Sequence, residues 1–323
     1  MNVPRRKFLH LAAGAAALPG LPRIALAQSY PSRPVRIIVP FPAGQASDNI
    51  TRLIGQSLSE RLGQPFVIEN RTGAGGNIGT ESVVRATPDG YMLLLVGVSN
   101  AMNATLYKKL NFNFIREIAP VASIGGSPYV MVVNPSVPAK TVPEFIAYAK
   151  ANPSKINMGS SGNGSVSHVF GERFKMMTSI DLVHVPYRGG YYPDLLSGQL
   201  QIAFGATASC IQYIRGGMLR ALAVTTASRS YVLPDIPTVG EFLPGYEASQ
   251  WYGVGAPKDT PAKVIDKLNK EIKAIAADSI IKARLASLGV DPMSMTSGEF
   301  GRLIAEETEK WGKVIRDANI NAD

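Results

Sequence analysis

Two stretches of small polar residues carry the chemistry open to this chain. The first is Phe41-Pro42-Ala43-Gly44-Gln45-Ala46-Ser47-Asp48, and the second is Gly159-Ser160-Ser161-Gly162-Asn163-Gly164-Ser165-Val166-Ser167-His168. Each lies between an apolar run and a pattern of helical spacing. A loop that ends at a helix N-terminus offers unpaired backbone N–H groups and the positive end of the helix dipole, which suits an anion. Glycines let the backbone approach a ligand closely, and Ser160, Ser161, Asn163 and Ser165 add short donors. Helix capping explains Ser165 or Ser167 alone but not the density of small polar residues. Two such loops about 115 residues apart suggest a clamp for a small carboxylate.

Catalytic and metal-binding patterns are missing from the sequence. Beyond residue 27 the histidines are His168 and His184. His184 lies in the apolar run Leu182-Val183-His184-Val185 and reads as a core histidine, while His168 either lines a cleft or packs behind the second loop. No HExxH, G-x-S-x-G or Cys/His metal spacing occurs, so no enzyme activity, metal or cofactor is expected. The glycines of Thr72-Gly73-Ala74-Gly75-Gly76-Asn77-Ile78-Gly79 miss the dinucleotide spacing, because Ile78 stands where the third glycine belongs. That segment reads as a turn that lines the cleft or shapes a helix start. Cys210 is the only cysteine, which excludes an intrachain disulfide and reads as a small core residue.

The elements that must position these loops alternate. Strands are expected at Val35–Pro40, Phe66–Glu69, Tyr91–Gly97, Tyr129–Asn134, Leu182–Val185, Leu200–Phe204, Leu219–Thr225 and Trp251–Ala256. Between them, Ile50, Leu53, Ile54, Leu58 and Leu62 recur at helical spacing before Gly63 and Pro65. Helices are also expected at Asn77–Ala86, from Thr141-Val142-Pro143-Glu144 to Ala151, and over Val166–Met177. The end of the chain turns helical: Thr260-Pro261 opens one helix, and Thr296 to Glu299 is a capping box for another. Alternation of this kind predicts an α/β architecture with mostly parallel sheets, in which ligands sit at the carboxyl ends of strands.

The first 27 residues read as an export signal. Arg5-Arg6-Lys7 precedes the apolar run Phe8–Leu18, and Ala25-Leu26-Ala27 is a small-x-small cleavage site. The paired arginines are twin-arginine-like. Cleavage after Ala27 removes four basic residues and no acids, which lowers the net charge from +9 to +5. The excess is scattered, without a basic run interleaved with aromatics, so nucleic-acid binding is not expected. No later stretch approaches a membrane-spanning length. The chain is expected in the periplasm, with general secretion as the other export route.

Ordered blocks then carry a resemblance. Tyr30-Pro31-Ser32-Arg33-Pro34-Val35 leads into Val39-Pro40-Phe41-Pro42-Ala43-Gly44, and Glu69-Asn70-Arg71-Thr72-Gly73-Ala74-Gly75-Gly76-Asn77 and Pro88-Asp89-Gly90-Tyr91 follow. Later come Val133-Asn134-Pro135-Ser136-Val137-Pro138, Gly162-Asn163-Gly164-Ser165, Val185-Pro186-Tyr187-Arg188-Gly189-Gly190 and Leu233-Pro234-Asp235-Ile236-Pro237-Thr238. In order and spacing the chain resembles the Bug-type substrate-binding receptors of tripartite tricarboxylate transporters, over essentially all of the sequence beyond residue 27. The resemblance implies a periplasmic binding protein fold of the type II kind: two α/β domains, a ligand cleft between them and two crossings, near Gly125 and Glu247. Domain one would be 28–124 plus 248–323, and domain two 125–247. It implies that the two loops grip a ligand carboxylate with backbone amides, small side chains and water, for delivery to membrane permease subunits. A ligand-sensing accessory protein for a signalling partner is the alternative; an enzyme is a third and remote one. The receptor is expected to be a monomer.

The candidate ligand contacts are therefore Phe41, Ala43, Gly44, Gln45, Ala46, Ser47 and Asp48 of the first loop, with Ser99 beyond the third strand. In the second half they are Ser160, Ser161, Gly162, Asn163, Gly164, Ser165, His168, Tyr187, Arg188 and Gly205. Two positions depart from the family pattern. Gln45 brings a long amide where the family usually has glycine, and Gly205 stands where many members carry aspartate. Loss of that carboxylate removes a partner for a ligand amine. The expected ligand is a mono- or dicarboxylate without an amino group, with aromatic acids among the candidates.

Overall fold

The computed structural model describes residues 30–188 and 190–322. The export signal and its cleavage site lie outside the described residues. From Arg33 onward the described residues pack as one compact unit. The first half runs β1 (Val35–Val39), α1 (Ala46–Leu62), β2 (Phe66–Asn70), α2 (Asn77–Val84), β3 (Met92–Gly97), α3 (Val98–Leu106) and α4 (Phe114–Glu117). A long strand β4 (Ile118–Val133) follows, then α5 (Val142–Ala151), β5 (Asn157–Ser160), α6 (Val166–Thr178), β6 (Val183–Pro186), α7 (Tyr192–Ser197), β7 (Ile202–Ala206), α8 (Thr207–Arg215) and β8 (Arg220–Val224). The chain closes with β9 (Ser249–Pro257), α9 (Ala262–Ala277), α10 (Ser279–Ser287), β10 (Asp291–Pro292) and α11 (Ser297–Asp317).

Local chemistry explains the principal boundaries. Ile50, Ile54 and Leu58 bury one face of α1 completely. Gly63 then ends the helix at φ 68° and donates its N–H to Ser59, a left-handed cap that glycine adopts without steric cost. Thr141 caps α5, and the Thr296–Glu299 capping box opens α11.

The sheet order is β2-β1-β3-β9-β4-β7-β5-β6, with β8 and β10 also beside β4. Parallel pairing holds in two triplets, β2-β1-β3 and β6-β5-β7. The middle is antiparallel, since β9 opposes both β3 and β4, and β4 opposes β7 and β8. The expectation of mostly parallel sheets therefore fails at the centre. From Ile118 to Pro128, β4 pairs with β9; from Tyr129 to Val133 it pairs with β7 and β8. Its first eleven residues escape the sequence pattern because Pro120, Gly125, Gly126 and Pro128 interrupt the apolar run. Pro120 and Gly125 are tolerated at register shifts, between Pro120 and Ala122 and between Ser123 and Gly125, and Pro128 ends the pairing with β9. No helix among the described residues is long and apolar enough to cross a membrane.

Candidate functional site

Strand polarity sets where each loop lies. β1 and β3 are parallel neighbours, so α1 and α3 begin side by side at one edge of their sheet. β5 and β7 are likewise parallel neighbours, which places the starts of α6 and α8 together. In three of these four helices the residue before the first turn offers no capping side-chain bond: Gln45 precedes α1, Gly97 precedes α3 and Ala206 precedes α8, although at α3 the Asn100 Oδ1 accepts from Gly97 N–H at 2.9 Å. Uncapped N-termini keep their first-turn N–H groups available to an anion.

In the first loop Ala43, Gly44, Gln45 and Ala46 are exposed, Phe41 is half-buried, and Ser47 and Asp48 are buried. Gly44 has φ 80° and nothing within 4 Å of where a Cβ would stand. Asp48 turns inward. Its carboxylate accepts from Gly44 N–H at 2.9 Å, Arg52 Nε at 2.9 Å and Asn70 Nδ2 at 2.9 Å. Burial opposes its charge, but the Arg52, Gly44 and Asn70 hydrogen bonds outweigh burial and hold the carboxyl below its ordinary value. Asp48 thus shapes the loop, and Gly44 N–H is already engaged. The groups turned toward an incoming anion are the amides of the first turn of α1, which begins at Ala46.

The second loop is laced to itself. Ser161 N–H donates to Ser167 Oγ at 3.0 Å, Gly162 N–H to Ser160 Oγ at 3.2 Å, Gly164 N–H to His168 Nδ1 at 3.1 Å and Ser165 N–H to Gly162 O at 3.1 Å. Ser165 caps α6 by accepting from His168 N–H. Asn163, exposed at the tip, stands outside these bonds, whereas Ser167 and His168 of the first turn of α6 take part in them. Gly164 is buried at φ 70°, and a side chain there would run into Leu106 at the end of α3. It is a packing glycine that ties this loop to the first half of the chain.

His184 is not a core histidine. Half-buried on β6, it stacks on His168 with ring centroids 3.5 Å apart and planes 4° apart, and its Nε2 lies 2.6 Å from Ser160 Oγ. Burial first, and the neighbouring His168 second, push its pKa down to about 4. His168 packs behind the loop rather than lining a cleft: it is 6% exposed, with Nε2 at 3.6 Å from Glu172 Oε1. Glu172 also takes Lys175 Nζ at 2.9 Å; these two partners outweigh burial and lower its pKa.

The remaining candidates divide. Ser99 is half-buried in the first turn of α3. Gly205 is buried in β7, and a Cβ built there would lie 2.7 Å from Tyr192 Oη and 3.3 Å from Tyr191 Oη. The side-chain space at 205 is thus taken by the Tyr192 hydroxyl, whose pKa burial raises. Tyr187 donates its hydroxyl to Asp194, and Arg188 is exposed beyond β6. The glycine turn at 73–79 packs under the first loop: Cβ atoms at Gly76 and Gly79 would stand 3.2 and 3.0 Å from Pro40 Cβ. Cys210 is fully buried, and burial pushes its thiol up to about 12.

Two contributors escape the sequence reading. Arg52 was within reach of it, since it stands four residues after Asp48, the spacing of a helical ion pair. Asn70 carries no such signal, because it meets Asp48 only through the fold.

The profile of the tripartite tricarboxylate transporter family receptor matches residues 50–320. BugT of Bordetella pertussis is 35% identical over 297 residues, covering 90% of this chain and 91% of BugT. An R. palustris protein solved with adipate is 33% identical, with a TM-score of 0.78, covering 90% of this chain and 99% of that one. MatC from Rhodopseudomonas palustris, with bound malate, is 29% identical, with a TM-score of 0.74, covering 88% and 100% respectively.

Proposed function

The chain belongs to the tripartite tricarboxylate transporter receptor family, and we propose that it captures a small carboxylate in a cleft between its two loops and hands it to membrane permease subunits. Its α/β fold is that of the periplasmic binding proteins. The observation that carries the reading is the set of helix N-termini whose first-turn N–H groups receive no bond from an N-cap side chain, at the carboxyl ends of β1, β3 and β7, with Ala43–Ala46 exposed beside the first of them. Carboxylates on two relatives, adipate and malate, support the ligand class. In this reading residues 28–124 and 248–323 form one domain and 125–247 the other, each contributing one loop. The receptor works outside the cytoplasmic membrane as a monomer, exported by the segment ending at Ala27. Gly205 and the Tyr192 hydroxyl filling its place leave no carboxylate there for a ligand amine, which favours a ligand without an amino group.

Isothermal titration with adipate, malate and aspartate tests this. The two plain dicarboxylates are expected to bind, aspartate at least tenfold more weakly. Ala46→Trp, at an exposed site, is expected to abolish binding and leave the thermal midpoint unchanged. Gly164 is a poor probe, because its replacement disturbs packing against Leu106. Tighter binding of aspartate, or unchanged affinity in Ala46→Trp, overturns the reading.

A further inference from the structure

We propose that the stacked imidazoles of His168 and His184 are positioning residues that form a proton-sensitive latch on the second loop, holding it in its binding geometry while His168 Nδ1 is unprotonated and releasing it on acidification. The inference rests on the carboxylate-receptor reading, but the latch itself is observable without ligand. Gly164 N–H points at His168 Nδ1 from 3.1 Å, so that nitrogen carries the lone pair. The proton of the neutral ring then sits on Nε2, facing Glu172. His184 reaches the other end of the loop through Ser160, whose Oγ spans both the N–H and the C=O of Gly162 at 3.2 Å. The two rings therefore grip the segment Ser160–Gly164 at both ends.

Protonation at His168 Nδ1 turns the acceptor into a donor and sets N–H against N–H. The buried Gly164 amide loses its partner, and the loop must turn to find another. The groups acting on the pair are Glu172, which favours a charged ring, and Lys175, which opposes it, both on α6. The strands β5 and β6 contribute Ser160 and the second ring, and the start of α6 adds the positive end of a helix dipole. The rings stand 3.5 Å apart, so a charge on one opposes a charge on the other.

The test follows the loop and the ligand separately, in the wild type and in His168→Asn. Asparagine places an oxygen near the position of Nδ1 and does not titrate. Imidazole ¹⁵N spectra of the ligand-free wild type at pH 7.5 are expected to give the Nε2–H form of His168. The Gly164 amide resonance is expected to move between pH 7.5 and 4.5 in the wild type and to stay in place in His168→Asn. The ratio of variant to wild-type affinity for adipate, which cancels the ligand's own titration, is expected to rise at least fivefold from pH 7.5 to 5. An Nδ1–H ring at pH 7.5, a Gly164 resonance fixed across the range in the wild type, or an unchanged affinity ratio overturns the latch. If adipate binds neither protein at pH 7.5, the receptor reading fails for that ligand, and the Gly164 resonance alone decides the latch.

Discussion

At the scale of single residues, a buried carboxylate next to the proposed anion site requires a reason, and Asp48 has one. Its three hydrogen bonds, to Gly44, Arg52 and Asn70, fix the bend that carries Ala43–Ala46 outward. The nearby Arg52 guanidinium compensates a charge that would otherwise repel the ligand. Asp48→Ala leaves those donors without their acceptor and is expected to cost about 1–3 kcal/mol of stability, read by urea denaturation at pH 7. The folded state holds the Asp48 carboxyl below its unfolded value. Its contribution is therefore present above the unfolded pKa of about 3.9 and is lost as pH falls through the lower, folded value. The gap between wild type and Asp48→Ala should be full at pH 7 and shrink toward pH 3. A gap that does not narrow would mean the side chain acts through packing rather than charge.

At the scale of elements, the C-terminal helix α11 is fastened to the sheet by one buried acid. Glu307, 6% exposed, accepts from Trp251 Nε1 on β9 at 3.2 Å and from Trp311 Nε1 at 2.7 Å, and it also meets Lys310. Glu307→Leu leaves two buried indole N–H groups unpaired, at about 1–3 kcal/mol each. Glu307→Gln keeps an oxygen for them and is expected to lose less than half as much, a contrast that chemical denaturation of the two variants measures. The amphipathic spacing of α11 and its capping box were legible in the sequence, as were β1, α1 and the continuous apolar run of β3. Glu307 was not, because an acid on the apolar face reads as an irregularity until two indoles from different elements converge on it. The same limit applies at the site. The loops stood out by composition and spacing, whereas the inward turn of Asp48, the Tyr192 hydroxyl beside Gly205 and the pairing of His168 with His184 depend on contacts between residues distant in sequence. The helices α3 and α8 were missed because each follows its strand with no intervening turn, and the buried Asn100 and Asn103 break the apolar pattern of α3.

At the scale of the whole molecule, the change of partners along β4 bears on what would move in the proposed closure. Between Pro128 and Tyr129 the partners of β4 change from β9 to β7 and β8, and the returning chain is tied at Ala248 N–H to Thr225 O before β9 begins. In the proposed two-domain reading, a rotation of one half against the other would be absorbed near Pro128 and Ala248, flanked by the irregular register at Ser123–Gly125. Ser127 Oγ, bonded to Gly289 O at 2.8 Å, and the short pairing of β10 with Gly125 and Gly126 brace that region from one side. A ligand shifts such an equilibrium only by contacts that differ between the open and closed states, so it must touch both loops to close them. The exposure of Ala43–Ala46 and the open space around Gly44 are what an open cleft would present. Saturating adipate is thus expected to lower the radius of gyration in solution scattering of the wild type. Ala46→Trp should leave it at the ligand-free value at the same concentration. A ligand that binds in titration without changing the scattering would place its contacts on one loop alone, and closure would then have to be driven by the permease rather than by the carboxylate.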